Sequence, residues 1–363
     1  MTLKNVNKAP FPWFGGKTDA APHVWAALGD VGHYVEPFMG SLATLLLRPH
    51  PCNRTYFSET VNDADGLLCN AWRAMQLHPD ATADAASWPV CEADLHARHL
   101  AILAWKGENL ERLMGSPTFC DPTIAGWWIW GQSCWIGSGW ASGQGPWILS
   151  PEGVMVRREK GTREPGVSRK RPQLTGDGQG VNRPQAREPG VGDYHPMTMP
   201  EVRRWFEALS ARLRHVRILN GDWSRACTSG ALSVRMKQDA AAYAGVFLDP
   251  PYAGAVRAKD LYAHDDHDVA AEVLAWCKKN GADPKLRIVL AGFAAEHGAL
   301  REHGWREVEW FKAGFLKGGM ANTGGSNTHQ QREERLWLSP ACLGAPEVKR
   351  CAGQSDLFGG SAA

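Results

Sequence analysis

The sequence predicts an α/β fold in which a doubly wound sheet is interrupted by one long insertion, and three observations carry that prediction. Apolar runs of strand length alternate with segments whose apolar residues recur at helical spacing. The first strand runs into a glycine turn, Pro37-Phe38-Met39-Gly40-Ser41, and then an apolar helix, the unit that opens a nucleotide-binding sheet. The alternation breaks near residue 90 and resumes near 200, so that 1–89 and 200–340 build one domain around an insertion, 90–199.

Composition narrows the classes. At 363 residues the chain has room for one large core plus an insertion. Lys plus Arg, 40, nearly cancels Asp plus Glu, 38, so charge matters through its distribution. Nine cysteines form no CxxC pair and no zinc-like spacing with histidine, which fits reduced thiols in a cytoplasmic protein and gives no reason to expect a metal. Neither a membrane span of ~20 apolar residues nor a signal peptide is expected.

Taken in order, Pro12-Trp13-Phe14-Gly15-Gly16-Lys17 brings an aromatic face, two glycines that allow close backbone approach, and a cation able to hold a carboxylate. A strand is expected at 32–36, ending on Glu36, and a helix at 42–47. The turn between them, with Phe38 and Gly40, is not GxGxxG, so a pyrophosphate cradle is not indicated and a nucleoside without phosphates suits it better. A second strand at 55–59 ends on Glu59, near the spacing at which such folds set a carboxylate on ribose hydroxyls. Asn62-Asp63-Ala64-Asp65 supplies caps for a helix carrying Leu67, Leu68, Trp72 and Met75.

The insertion opens with a helical stretch, about 90–114, and continues into Trp127, Trp128, Trp130, Trp135, Trp140 and Trp147 among glycines. Indoles stack on bases but also fill irregular cores, and six exposed ones would form an aggregation-prone patch, so a core role is expected. Residues 157–192 are rich in glycine and proline and one-sidedly basic; Arg157, Arg158, Arg169, Lys170 and Arg171 are the candidate phosphate contacts. A helix at 201–213, a strand at 216–219 followed by Asp222, a helix at 269–279 and strands at 286–290, 306–311 and 334–338 complete the domain, with a loose tail after 340. The polar run His264-Asp265-Asp266-His267-Asp268 reads as an acidic helix start rather than a metal site.

The segment that organises these parts is Asp249-Pro250-Pro251-Tyr252, directly after the buried strand 244–248. Neither proline donates a backbone hydrogen bond, and each biases its predecessor to extended geometry, so the Asp249 carboxylate and the Pro250 carbonyl face one crevice beside the Tyr252 ring. Two acceptors next to a stacking face suit a flat heterocycle with an exocyclic amine.

In that order, Pro12-Trp13-Phe14-Gly15-Gly16-Lys17, Glu36-Pro37-Phe38-Met39-Gly40-Ser41, Glu59-Thr60-Val61-Asn62-Asp63 and Asp249-Pro250-Pro251-Tyr252 resemble the D12-class, Dam-like DNA adenine N6-methyltransferases, especially their phage and prophage members, over most of residues 9–340. The resemblance implies a Rossmann-like S-adenosylmethionine-dependent methyltransferase sheet, with 90–199 as the target-recognition region on double-stranded DNA. It implies that Trp13 and Lys17, beside Gly15 and Gly16, contact the cofactor, that the turn from Glu36 through Phe38 to Gly40 carries it, that Glu59 binds its ribose and Asp222 its adenine, and that Asp249 borders it. Where the family often has Asp, this chain has Glu59, and its turn is less glycine-rich.

The expected chemistry follows from the target. Adenine N6 is a poor nucleophile hidden in the duplex, so the base is flipped out, stacked on Tyr252, and its amine hydrogens are accepted by Asp249 and the Pro250 carbonyl. The alternatives are an N4-cytosine methyltransferase, which more often has Ser at the Asp249 position, a protein-glutamine methyltransferase, which typically has Asn there, and a DNA-binding protein without activity.

Overall fold

The computed structural model describes residues 7–13, 15–49, 57–116, 118–135, 140–141, 147–149, 155–157, 198–233, 242–251, 267–310 and 334–344; Glu92, 147–149, 155–157, His267 and Asp268 are described as backbone only. Seven strands form one mixed sheet: β1 (His33–Glu36), β2 (Ser58–Asp63), β3 (Val216–Asn220), β4 (Ala244–Leu248), β5 (Leu286–Phe293), β6 (Arg306–Val308) and β7 (Glu334–Leu338). Their order across the sheet is β3-β2-β1-β4-β5-β7-β6. β3, β2, β1, β4 and β5 are parallel neighbours, whereas β7 runs antiparallel to both β5 and β6. This is the dinucleotide-fold order with one reversed strand between the fifth and the last.

Alternation along the central strands sends side chains to two separate cores. Phe247, Val289, Ala291, Leu336 and Leu338 join one cluster; Ala244, Val246, Leu248, Ile288, Leu290 and Trp337 join the other. A sheet buried on both faces requires apolar residues at successive positions, which is why 244–248 and 286–290 read as continuous apolar runs. The first face is covered by α1 (Ala21–Leu28), α2 (Ala43–Leu46), α3 (Gly66–Leu77), α4 (Pro79–Ala86) and α7 (Met199–Leu213). The second is covered by the 3-10 turn Trp223–Cys227, α8 (Ser229–Ser233) and α9 (His267–Asn280).

Helix starts follow local chemistry. Asp65 caps α3 by accepting from the Leu67 N–H, and Thr198 with Glu201 forms a capping box on α7. Asp121 caps α6 (Pro122–Cys134) by accepting from the Thr123 and Ile124 N–H groups. Its own backbone exchanges two hydrogen bonds with the Asn70 side chain on α3, which pins α6 to the main domain.

The boundary expected at residue 90 therefore does not separate two cores. α5 (Glu92–Gly115) and α6 contribute Ile102, Leu113, Ile124 and Trp128 to the same cluster as Phe11, Leu28 and Trp72. The Phe11 ring lies 5.1 Å from Trp128 and 5.4 Å from Trp72. Trp128, Trp130 and Trp135 are buried, so tryptophan fills core here; Trp147 lies on an antiparallel hairpin, 147–149 with 155–157, whose side chains are not described. Among the described residues no helix is long and apolar enough to cross a membrane.

Candidate nucleoside and amine site

The parallel strands end on one edge of the sheet, and that edge collects the polar residues. β1 ends on Glu36, β2 on Asp63, β3 leads to Asp222, and β4 to Asp249. Between β1 and β4 the strand order reverses, and ligands of open α/β sheets bind at such a switch point.

Lys17 enters this edge from the N-terminal segment. Its ammonium is buried, 2.9 Å from Asp249 Oδ2 and 3.1 Å from Glu334 Oε1, and donates to the Gly15 carbonyl at 2.9 Å. Burial alone would lower the Lys17 pKa, but the Asp249 and Glu334 carboxylates outweigh it and hold it above its ordinary value. Sequence reasoning gave Lys17 a carboxylate to hold; within the described residues the carboxylates are Asp249 and Glu334. Glu334 was missed because nothing in the sequence shows that the last strand is reversed, and reversal is what carries its first residue to this edge.

Glu36 is buried and accepts from the Tyr34 hydroxyl at 3.0 Å. Burial pushes its carboxyl well above the usual range; the Tyr34 hydrogen bond opposes this, and the negative charge of Asp249 adds to it. The turn after Glu36 is fixed on every side. The Met39 N–H donates to the Asn62 carbonyl, the Gly40 N–H to Asp63 Oδ2 at 3.2 Å, and the Trp72 indole to the Gly40 carbonyl at 2.9 Å. Gly40 has φ 43°, and a Cβ there would lie 2.6 Å from Trp13 Nε1, so backbone and ring both demand glycine. Gly15 is also left-handed, at φ 76°, whereas a Cβ on Gly16 would meet only ordinary contacts at 3.5 Å. Trp13 packs against this turn and against Trp128, 6.3 Å away.

The second strand corrects the sequence reading. β2 runs Ser58–Asp63, past the end expected at 59, so Glu59 stands near its start, level with Tyr34, and not at the crevice; residues 55 and 56 of the expected strand lie outside the described residues. It is buried between Arg48 Nη1, at 3.0 Å from Oε1, and Arg212, whose Nη1 and Nη2 reach Oε2 and Oε1 at 2.7 and 2.9 Å. Burial would raise the Glu59 pKa, but the two guanidiniums, Arg212 first, hold it below the ordinary value. The carboxylate at the strand end is Asp63, which also accepts from the Asp65 N–H. Burial raises its pKa to about 7, opposed by the Asp65 N–H and reinforced by the Asp65 charge. The strand was misplaced because Ser58-Glu59-Thr60-Val61-Asn62-Asp63 has almost no apolar residue, its burial depending on partners distant in sequence.

Asn62, named in the sequence among caps for α3, instead donates to the Pro37 and Gly221 carbonyls, both at 3.0 Å, and so ties the β1 turn to the loop after β3. On that loop Asp222 is exposed and caps the 3-10 turn by accepting from the Ser224 N–H. The following residue, Trp223, stacks with Phe38 at 6.0 Å and 26°. Phe38 and Asp222 thus border the same part of the edge.

Asp249, Pro250 and Pro251 follow β4 without helix, with Asp249 partly open and Pro250 buried. Tyr252 lies outside the described residues, as do Phe14, Arg158, Arg169, Lys170, Arg171 and His264, Asp265 and Asp266; Arg157 is described as strand backbone only. Among the described residues no group of His, Cys, Asp and Glu side chains is arranged to hold a metal ion. Searches against protein-family models and against curated proteins find no match to the chain.

Proposed function

We propose that the chain is an S-adenosylmethionine-dependent DNA methyltransferase acting on the exocyclic N6 of adenine. The observation that carries the reading is the Lys17–Asp249 pair, 2.9 Å apart beside the Glu36 turn. It joins the N-terminal motif to the amine-accepting segment at the point where the sheet order reverses.

The residues fit the cofactor by their chemistry. Asp63 and Asp222 offer carboxylates suited to ribose hydroxyls and an adenine amine, Phe38 with Trp223 offers an aromatic wall, and the Gly40 turn lets backbone come close without a phosphate cradle. When bound, S-adenosylmethionine supplies an electrophilic methyl group on its sulfonium. The chain's own residues prepare the nucleophile. Asp249 and the Pro250 carbonyl accept the two N6 hydrogens, drawing the nitrogen out of conjugation so that its lone pair is usable. Lys17 pairs with Asp249 and holds it in place, and Tyr252 gives the flipped base a stacking face, offsetting an unstacking cost of a few kcal/mol. In this reading Arg157, Arg158, Arg169, Lys170 and Arg171 contact phosphates of double-stranded DNA.

Expression in a methylation-deficient host followed by analysis of genomic bases tests the proposal. N6-methyladenine in a fixed sequence context is the expected result. N4-methylcytosine would move the target to cytosine, and unmodified DNA from cells holding folded protein would contradict the activity.

A further inference from the structure

We infer that Glu334 is a positioning residue for methyl transfer, the second anion on Lys17, which keeps the ammonium from neutralising Asp249 alone. The inference rests on the proposed function and adds a residue from the far side of the sheet. β7 is the reversed strand, so its first residue, paired in register with Phe293 at the end of β5, reaches the edge where the parallel strands finish. Glu334 is buried there at 6% exposure, while Leu336, Trp337 and Leu338 behind it are ordinary core. Burying a carboxylate at a strand start, where an apolar residue would pack, is costly unless its charge is paired, and Lys17 pairs it.

The chemical consequence concerns acceptor strength. A lysine shared between two carboxylates at 2.9 and 3.1 Å withdraws less from either one than a lysine paired one to one. Asp249 therefore keeps more of its capacity to take a hydrogen bond from an amine. Among the described residues Lys17 faces the carboxylates of Asp249, after β4, and Glu334, on β7, and also donates to the Gly15 carbonyl; Glu36, on β1, faces Asp249. Without the Glu334 charge, burial and one carboxylate remain, and the Lys17 titration moves to lower pH.

The test uses the full chain as wild type, Glu334→Gln and Glu334→Asp, with thermal melting to confirm folding. Methyl transfer to DNA is followed against pH, and the Lys17 side-chain resonance is titrated by NMR. Glu334→Gln is expected to lower kcat on the order of 10- to 100-fold, as weakening a preorganised electrostatic contact does. The KM for cofactor should stay within about threefold, the alkaline limb of activity and the Lys17 titration should both move to lower pH, and Glu334→Asp should restore part of the rate. A folded Glu334→Gln chain with wild-type rate and pH profile would overturn the inference, as would a loss equal at every pH that Asp does not relieve. Wild-type protein unable to transfer methyl groups would contradict the function itself. An unmoved Lys17 resonance in Glu334→Gln would contradict the ion cluster whichever way the function stands.

Discussion

The Gly40 N–H donates to Asp63 Oδ2 at 3.2 Å, so one carboxylate at the end of β2 fixes the turn after β1. That carboxylate has its pKa raised by burial to about 7 from an ordinary 3.8. A raised folded-state pKa means that the native chain binds the proton more tightly than the unfolded chain. The stability so contributed is complete below about pH 4 and is lost as pH rises through about 7. Because the side chain is partly open to water, the loss should be on the order of 1–2 kcal/mol rather than the full value of the shift. Denaturant melts from pH 4 to 8 should show this fall in the wild type and a flatter profile in Asp63→Asn.

Glu59 behaves in the opposite sense. Its pKa is held down by Arg212 and Arg48, so its contribution is present above its ordinary pKa of 4.5 and is lost as pH falls through the lowered value. Glu59→Ala leaves two guanidiniums without their shared anion and should cost about 3–5 kcal/mol. Cofactor affinity of the folded protein, read by calorimetry, should hardly change, whereas Asp63→Ala should weaken it about tenfold or more. The reverse pattern would favour Glu59 over Asp63 as the proposed ribose contact.

Gly40→Ala must place a Cβ at left-handed φ and 2.6 Å from the Trp13 indole nitrogen. The expected cost is about 1–3 kcal/mol from backbone strain, with cofactor binding weakened because Trp13 and the turn move together. Calorimetric unfolding and titration with S-adenosylmethionine measure both.

Trp128→Ala removes a ring that bridges α6 to Phe11 in the main core, and should cost about 3–5 kcal/mol. If α6 belonged to a separate unit, a second unfolding transition would carry that loss. A single transition shifted to lower temperature is the expected result.

Those residues also mark what could be read before the fold was known. Strands 244–248 and 286–290 were legible because double-sided burial writes itself as an unbroken apolar run, and the extended backbone of Asp249 after β4 because prolines constrain their predecessors locally. β2 was misplaced since Glu59 is buried only by virtue of Arg48 and Arg212, the latter arriving on α7 from far along the chain. The same limit hid the roles of Glu334 and Asn62, which depend on strand direction and on a loop after β3. The packing of α6 onto the main core could not be read for a related reason: the Asn70–Asp121 exchange joins α3 to α6 without a periodic signature.

The most direct test of the account is methyl transfer by the purified chain to adenine-containing duplex DNA, compared between wild type and Asp249→Ala. Wild type should transfer methyl groups to N6, and Asp249→Ala, folded and still binding cofactor, should lose roughly 100-fold or more in rate, as when a preorganised electrostatic contact is removed. Normal transfer by a folded Asp249→Ala chain would contradict the central claim.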